Sequence, residues 1–398
     1  MREPHIILRS SRLTTRDVFL GEASFPGATA AEAPAAGLSV EVEDIERSEI
    51  PELTNRSEIL AVAPSLPMRL VAPVARAATM PSATHPVAWG VQATGADTSP
   101  VSGQGIVVAV IDTGIDRTHP AFSGVTLIEE DFTTEGNGDQ DGHGTHCAGT
   151  IFGRDFQNTR IGIARGVTKA LIGKVLGAGG GKSLQIAQAI HWAVQNGAHV
   201  ISMSLGIDFP GYARALQEEH GFPPELATSR ALEGYRLNIQ LFQTLASFVD
   251  AQGAFSQGSV IVAAAGNESQ RDLHPDFEIA VSPPAVANGI VSVAALGRSA
   301  QGLDVATFSN TGATISAPGL EILSAAPGGG FATMSGTSMA APHVAGIAAL
   351  WAERVRNTGF LNSTQLKARL LGSATNTGLR NGVDPFDIGL GLIRAPQA

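Results

Sequence analysis

Four apolar runs punctuate the chain after residue 100: "IVVAVID" (106–112), "ALIGKVL" (170–176), "HVISMS" (199–204) and "VIVAAAG" (260–266). Each is followed by a helical pattern. Runs that are apolar almost throughout predict strands buried on both faces, and hence a parallel sheet covered by helices. Residues 183–197, "SLQIAQAIHWAVQNG", predict one such helix. Ser183 can cap it, Leu184, Ala187, Ile190 and Val194 share a face, and Gly197 can end it. The expected fold class is α/β, with three layers (α/β/α) around a mainly parallel sheet. In such sheets chemistry gathers at the carboxyl ends of the strands.

The first ~70 residues have a different texture. Short β-like pieces, "HIILRS", "LSVEVEDIE" and "ILAVAPSL", are separated by loops, and an Ala/Pro-rich stretch (71–86) reads as an exposed linker. The texture changes again at Trp89. Later, between Gly206 and Asn267, the stretch carries Leu232, Tyr235, Ile239, Phe242 and Leu245 near helical spacing. That pattern predicts a helix giving extra core cover, or a wall beside the site.

Composition narrows the function. The 398 residues are 43% hydrophobic and 16% charged, which suits one large globular domain with a smaller companion. A formal net charge of −10, without a dense Lys/Arg run, offers no footprint for nucleic acid or an anionic membrane. A secretory leader needs roughly 7–15 apolar residues and a membrane span ~18–20. The N-terminus has only a four-residue apolar core, His5 aside, and no uninterrupted apolar stretch reaches the length of a span, so a soluble cytoplasmic protein is expected. A single cysteine excludes an intramolecular disulfide framework and a multi-cysteine zinc site.

Three chemistries compete. "VLGAGGGKS" (175–183) resembles a phosphate loop, but Leu176 stands where the template needs glycine. A side-chain-poor backbone edge is the better reading. "DGHGTHCAGT" (141–150) offers Asp141, His143, His146 and Cys147 to a metal, or Cys147 as a nucleophile. "SGTSMAAPHVAGIAAL" (335–350) presents Ser338 after a small-residue turn, at the start of an Ala-rich helix. The free N–H groups of that first turn favour negative charge beside the serine. Pro342 is expected to be harmless there, as part of a turn with no intrahelical N–H bonds to lose.

Read together, "VAVIDTGID" (108–116), "DGHGTHCAGT" and "SGTSMAAPHVAG" resemble the three signatures of the subtilisin-like serine proteases. "VAAAGNES" (262–269) is similar to that family's oxyanion segment. The resemblance covers Trp89 to the C-terminus. It implies Asp112 as the orienting aspartate, His143 as the general base, Ser338 as the nucleophile and Asn267 as the oxyanion amide. The order Asp, His, Ser separates this type from lipases and other α/β-hydrolases. Under this resemblance His146 is expected to pack or hydrogen-bond, and Cys147 to lie beneath the site.

The resemblance further implies a cleft with Gly179, Gly180 and Gly181 on one edge and Ser204, Leu205 and Gly206 on the other. Ala265, Gly266 and Ser282 are expected near the pocket for the residue before the cut bond. An extended polypeptide would add between the edges as a strand. Residues 1–75 are expected to be a small α+β inhibitory prosegment and 76–88 a linker, with processing somewhere in 68–86. Residues 89–398 form the expected catalytic domain, with an insertion at about 207–258. No cofactor is expected for the chemistry. A structural calcium is an open expectation: "GRDFQNTRIG" (153–162) puts Arg154 and Arg160 where many family members offer oxygen ligands. Glu129, Glu130, Asp131, Asp139 and Asp141 form a second candidate. The rival reading is a catalytically inactive relative serving as a binding module.

Overall fold

The computed structural model describes residues 2–11, 37–76, 85–252 and 258–398. Residues 77–84 of the expected linker and 253–257 of the expected insertion lie outside the described residues.

The N-terminal β-like pieces form one antiparallel sheet from β1 (Arg2–Ser11), β2 (Gly37–Glu46) and β3 (Ile59–Pro64), in the order β2-β1-β3. β1 is central and covered on both faces. Ile7 packs with Ile45, Leu53, Ile59 and Val62 in a small core of its own. Ile6 and Leu8 point the other way, into a core shared with the main body. The period of two along a strand divides the apolar residues between these layers.

Next come β4 (Pro67–Leu70) and β5 (Ala75–Arg76), then the strands of the body: β6 (Val107–Asp112), β7 (Thr126–Asp131), β8 (Lys169–Lys174), β9 (Gly181–Lys182), β10 (Val200–Met203), β11 (Leu205–Ile207), β12 (Val260–Ala264), β13 (Ile290–Ser299), β14 (Gly302–Val305), β15 (Ile315–Pro318), β16 (Ile322–Ala326) and β17 (Gly330–Ser335). The large sheet runs β14-β13-β12-β10-β6-β8-β7, with β15 also on β13. Its pairings are parallel except β13 with β14. The four predicted strands supply β6, β8, β10 and β12. Val108 and Val110 of β6 face a layer with helices α1 (His143–Phe152) and α5 (Thr337–Thr358). Ala109 and Ile111 face α2 (Ser183–Gln195) and α4 (Pro224–Gln252), completing α/β/α.

Two details of α2 and α4 depart from expectation. Ser183 is the first helical residue of α2, and its hydroxyl accepts the Leu66 N–H at 3.0 Å. The expected cap therefore ties the N-terminal region to the body. The long stretch forms α3 (Phe209–Glu218) and α4, but Leu232 faces solvent. The buried face of α4 runs Ala231, Gly234, Asn238, Leu241, Phe242 and Leu245, because small residues let its first half approach β3 closely. A β-carbon on Gly234 would sit 3.3 Å from Pro64 and Leu66, and the Asn238 amide donates to the Pro64 carbonyl at 2.9 Å. Arg230 pairs with Glu3, and Arg47 with Glu233. Among the described residues no helix is long and apolar enough to cross a membrane.

The loop at 153–162 does not fit a calcium ion. Arg160 fills the place with its own cation, donating to the carbonyls of Ala96 (2.8 Å), Asp97 (3.4 Å), Gly162 (3.3 Å) and Ile163 (3.3 Å). Arg154 donates to the Val167 carbonyl. In the acidic run, Asp131 accepts from Thr133 and Gly136, Asp139 from Thr113, Gly142 and Thr145, and Glu129 and Asp141 pair with Arg117 and Arg76. Replacing Arg160 with Met withdraws a charged donor from several carbonyls, at a cost of about 2–3 kcal/mol. Denaturant unfolding of Arg160→Met in a Ser338→Ala background should reveal that loss, and added calcium should not restore it. A loss within experimental error, or full recovery with calcium, would contradict this role.

Candidate active site

Asp112 is the last residue of β6 and His143 the first of α1. Gly144 permits their approach: a β-carbon there would lie 2.1 Å from the Gly114 carbonyl oxygen, in the turn after β6. Thr113 locks the same junction. Its hydroxyl accepts from Gly144 N–H and donates to Asp139, whose other oxygen accepts from the backbone and hydroxyl of Thr145. His143 Nδ1 donates to Asp112 Oδ1 at 2.7 Å, and Thr113 N–H donates to the same oxygen at 2.8 Å. Asp112 and His143 are both buried. Burial alone would push the imidazole pKa down, but the adjoining Asp112 carboxylate overcomes it and holds His143 well above its ordinary value. Nδ1 is thereby committed as donor, and Nε2 is buried without a partner among the described residues.

The other members of the "HGTHC" segment have quieter positions. His146 contacts the carbonyls of Ile322 and Ala332 through Nε2, and burial lowers its pKa to about 3. Asp141 is held by Arg76, away from His146. The four residues considered for a metal therefore do not converge. Cys147 lies 3.7 Å from His143 Nδ1, and burial pushes its thiol pKa up, away from the reactive thiolate.

Ser338 is the second residue of α5, after Gly336 at the cap. Pro342 stands in the second turn rather than the first, so the Ser338 carbonyl has no i+4 N–H donor. The Ser204 hydroxyl (3.3 Å) and the Cys147 thiol (3.4 Å) take over that carbonyl. The proline thus joins the Ser338 backbone to Ser204 and to α1, instead of being merely tolerated.

Asn267 follows Gly266, whose φ of +114° favours glycine; a β-carbon there would collide with Asn310 and Glu268. Thr337 fixes the amide. Its N–H (2.8 Å) and hydroxyl (2.9 Å) both donate to Asn267 Oδ1, leaving Nδ2 to face the cleft. Gly266 N–H donates to the Thr337 hydroxyl, and Asn310 Oδ1 accepts from Glu268 and Ser269. Thr337, Thr113 and Asn310 were not singled out in the sequence. Their partners are distant along the chain, so only the "GTS" triplet hinted at one of them.

The cleft holds a segment of the chain itself. β4 lies antiparallel between β11 and β9, pairing Leu70 with Leu205, Arg69 with Gly206, Met68 with Ile207 and Gly181, and Pro67 with Lys182. Val71 N–H donates to the Ser204 carbonyl at 3.2 Å. The Val71 carbonyl accepts from Ser338 Oγ at 2.5 Å, and the Ala72 carbonyl from Asn267 Nδ2 at 2.8 Å. Beyond, Val74 N–H donates to Ser335, and β5 pairs with β17. Of the expected edges, Ser204, Leu205, Gly206 and Gly181 hydrogen-bond to the segment or pair with it. Gly180 comes close to the Met68 carbonyl, which a β-carbon would meet at 2.8 Å. Gly179 belongs to the 177–180 turn and pairs with nothing in the segment; Lys182 takes its expected place. Val71 is buried beside Gly206 and Ser282, while Ala265 accepts from the Ser282 N–H.

The chain matches the subtilase family model over residues 103–391. It is 34% identical to subtilisin Savinase of Lederbergia lenta over 78% of this chain and 98% of that protein. It is 32% identical to subtilisin DY of Bacillus licheniformis over 74% and 91%. An intracellular serine protease of Paenibacillus polymyxa is 31% identical over 68% and 74%. In structure it resembles fervidolysin of Fervidobacterium pennivorans, described as a keratinolytic enzyme related to subtilisin, with a TM-score of 0.66 at 22% identity. That likeness concerns the fold alone and covers 99% of this chain but 60% of the other. The inactive binding module gains no support from relatives named as proteases. Subtilases need no cofactor for catalysis, and a protease acts on polypeptides. The chain belongs to the subtilase family and is a serine endopeptidase.

Proposed function

We propose that this protein is made as a self-processing zymogen, that its N-terminal region through Val71 is the prosegment, and that the Val71–Ala72 bond is the processing point. The observation that carries this reading is the Val71 carbonyl held against Ser338 Oγ at 2.5 Å, in a strand bonded to both cleft edges. The point falls within the 68–86 stretch expected from the sequence.

In the reaction, His143 Nε2 takes the Ser338 hydroxyl proton as Oγ bonds to the Val71 carbonyl carbon. The oxyanion moves into the hole formed by Asn267 Nδ2 and the Ser338 N–H. The C–N bond to Ala72 then breaks, His143 returns the proton to the Ala72 nitrogen, and water releases the acyl group by the same route in reverse. The resting arrangement stops short of this. Ser338 donates its proton to the Val71 oxygen, and Asn267 Nδ2 is spent on the following carbonyl, that of Ala72. The Val71 carbonyl must swing toward Asn267 before attack. After cleavage, the β1–β3 sheet docked on α4, and Leu66 bonded to Ser183, retain the fragment as an inhibitor. The burial of Val71 favours a small apolar residue before the cut bond in other substrates as well.

Intact-mass analysis tests the processing. Wild type should yield residues 1–71 and 72–398, and Ser338→Ala should stay whole. A cut in Ser338→Ala, or an active enzyme that stays whole, would contradict self-processing. The charge on Asp112 raises the His143 pKa, and protonated His143 accepts no proton, so kcat/KM should fall as pH drops through that raised value. Asp112→Asn should move this acid limb to lower pH and reduce turnover by about 10⁴-fold, the magnitude known for the same change in a chymotrypsin-type triad. An unmoved limb would reassign the titrating group. Thr337→Val should lower kcat by about 10-fold or more with little change in KM, by loosening an amide whose complete loss costs roughly 10²–10³-fold in subtilisin. Unchanged kcat would remove Thr337 from the positioning of Asn267.

A further inference from the structure

We infer that the mature cleft selects a basic side chain at the third residue before the cut bond, and that Asp208 and Glu268 make this choice. The inference rests on the reading of residues 67–71 as lying where a substrate lies. Arg69 is third before the processing point and pairs with Gly206 on the cleft edge. Its guanidinium lies between two carboxylates, 3.4 Å from Asp208 and 3.1 Å from Glu268. Its neighbours Met68 and Leu70 are apolar and project to the opposite side of the strand.

Both carboxylates are held by groups outside the segment. Asp208 caps α3, accepting the Gly211 N–H at 3.1 Å. Glu268 Oε2 accepts from Asn310 Nδ2 at 2.7 Å, which leaves Oε1 for Arg69. When the segment departs, these supports stay, so the two negative groups remain aimed at the emptied position. Arg69 is therefore a sample of the side chain this position takes. A basic side chain gains two ion pairs there, whereas an acidic one meets two like charges.

Partly exposed ion pairs each alter affinity by roughly 1.4–5-fold and weaken as salt rises. The test uses the processed enzyme and three quenched-fluorescent peptides: residues 67–72, and the same sequence with Gln or Glu replacing Arg69. At low salt the Arg peptide should exceed the Gln peptide by about fivefold in kcat/KM, and the Glu peptide should be the poorest. The Arg/Gln ratio should shrink toward one near 1 M salt, where the Debye length is about 3 Å. Asp208→Asn should reduce the same ratio by about twofold to threefold; being a ratio within one enzyme, it is independent of how much protein folds. Equal cleavage of the Arg and Gln peptides at low salt, or a ratio untouched by Asp208→Asn, overturns the subsite and leaves the endopeptidase intact. Cleavage of none of the three overturns the reading of residues 67–71 as lying where a substrate lies.

Discussion

Two short strand edges face each other across the cleft, and their main-chain groups need hydrogen-bond partners. β9 and β11 do not pair with one another, and an extended segment lying between them satisfies both edges. In this structure residues 67–70 supply it from the same chain, and Val71 continues the pairing to Ser204. Much of the molecule follows from that requirement. The N-terminal sheet anchors the inserted strand at its upstream end through Leu66 and Ser183, and α4 braces β3 behind it. The contacts to the inserted segment are chiefly main chain to main chain, the mode by which an extended polypeptide adds to open strand edges.

The same strand brings a peptide bond to a point where three distant segments meet. β6 ends in Asp112, α1 begins with His143 and α5 begins around Ser338, all at the carboxyl edge of the sheet. Rigidity is built from short polar links: Thr113 to Asp139 and Gly144, Thr337 to Asn267, and Ser204 and Cys147 to the Ser338 carbonyl. The lone pair of the imidazole is left uncommitted. His143 Nε2 is idle while the Ser338 proton rests on Val71. Under the proposed processing, a turn of one carbonyl separates the resting chain from the reactive one.

The sequence was most legible where local pattern and chemistry coincide. Apolar runs marked β6, β8, β10 and β12, because strands buried on both faces need little polar interruption. The candidate residues stood in segments whose spacing is local, and the structure places Asp112 against His143 and Ser338 beside the cleft. What escaped depends on contacts across long separations. The buried face of α4 turned away from Leu232 because its partner, β3, lies over 150 positions earlier. Pro342 was expected to be harmless, yet its missing N–H recruits Ser204 and Cys147. Arg160 lay in a loop that made calcium doubtful, but only the fold gathers four carbonyls around it. The pairing of Arg69 with Asp208 and Glu268 has no trace in any local pattern.

The occupant of the cleft is the chain itself, and under the proposed processing it must be cut before Ser338 is open. The most direct measurement is a time course with a fluorophosphonate probe, in which each labelled species is weighed intact. Label is expected only on species that begin at Ala72, while the uncut chain stays unlabelled. Label on the uncut 398-residue chain at a comparable rate would contradict it.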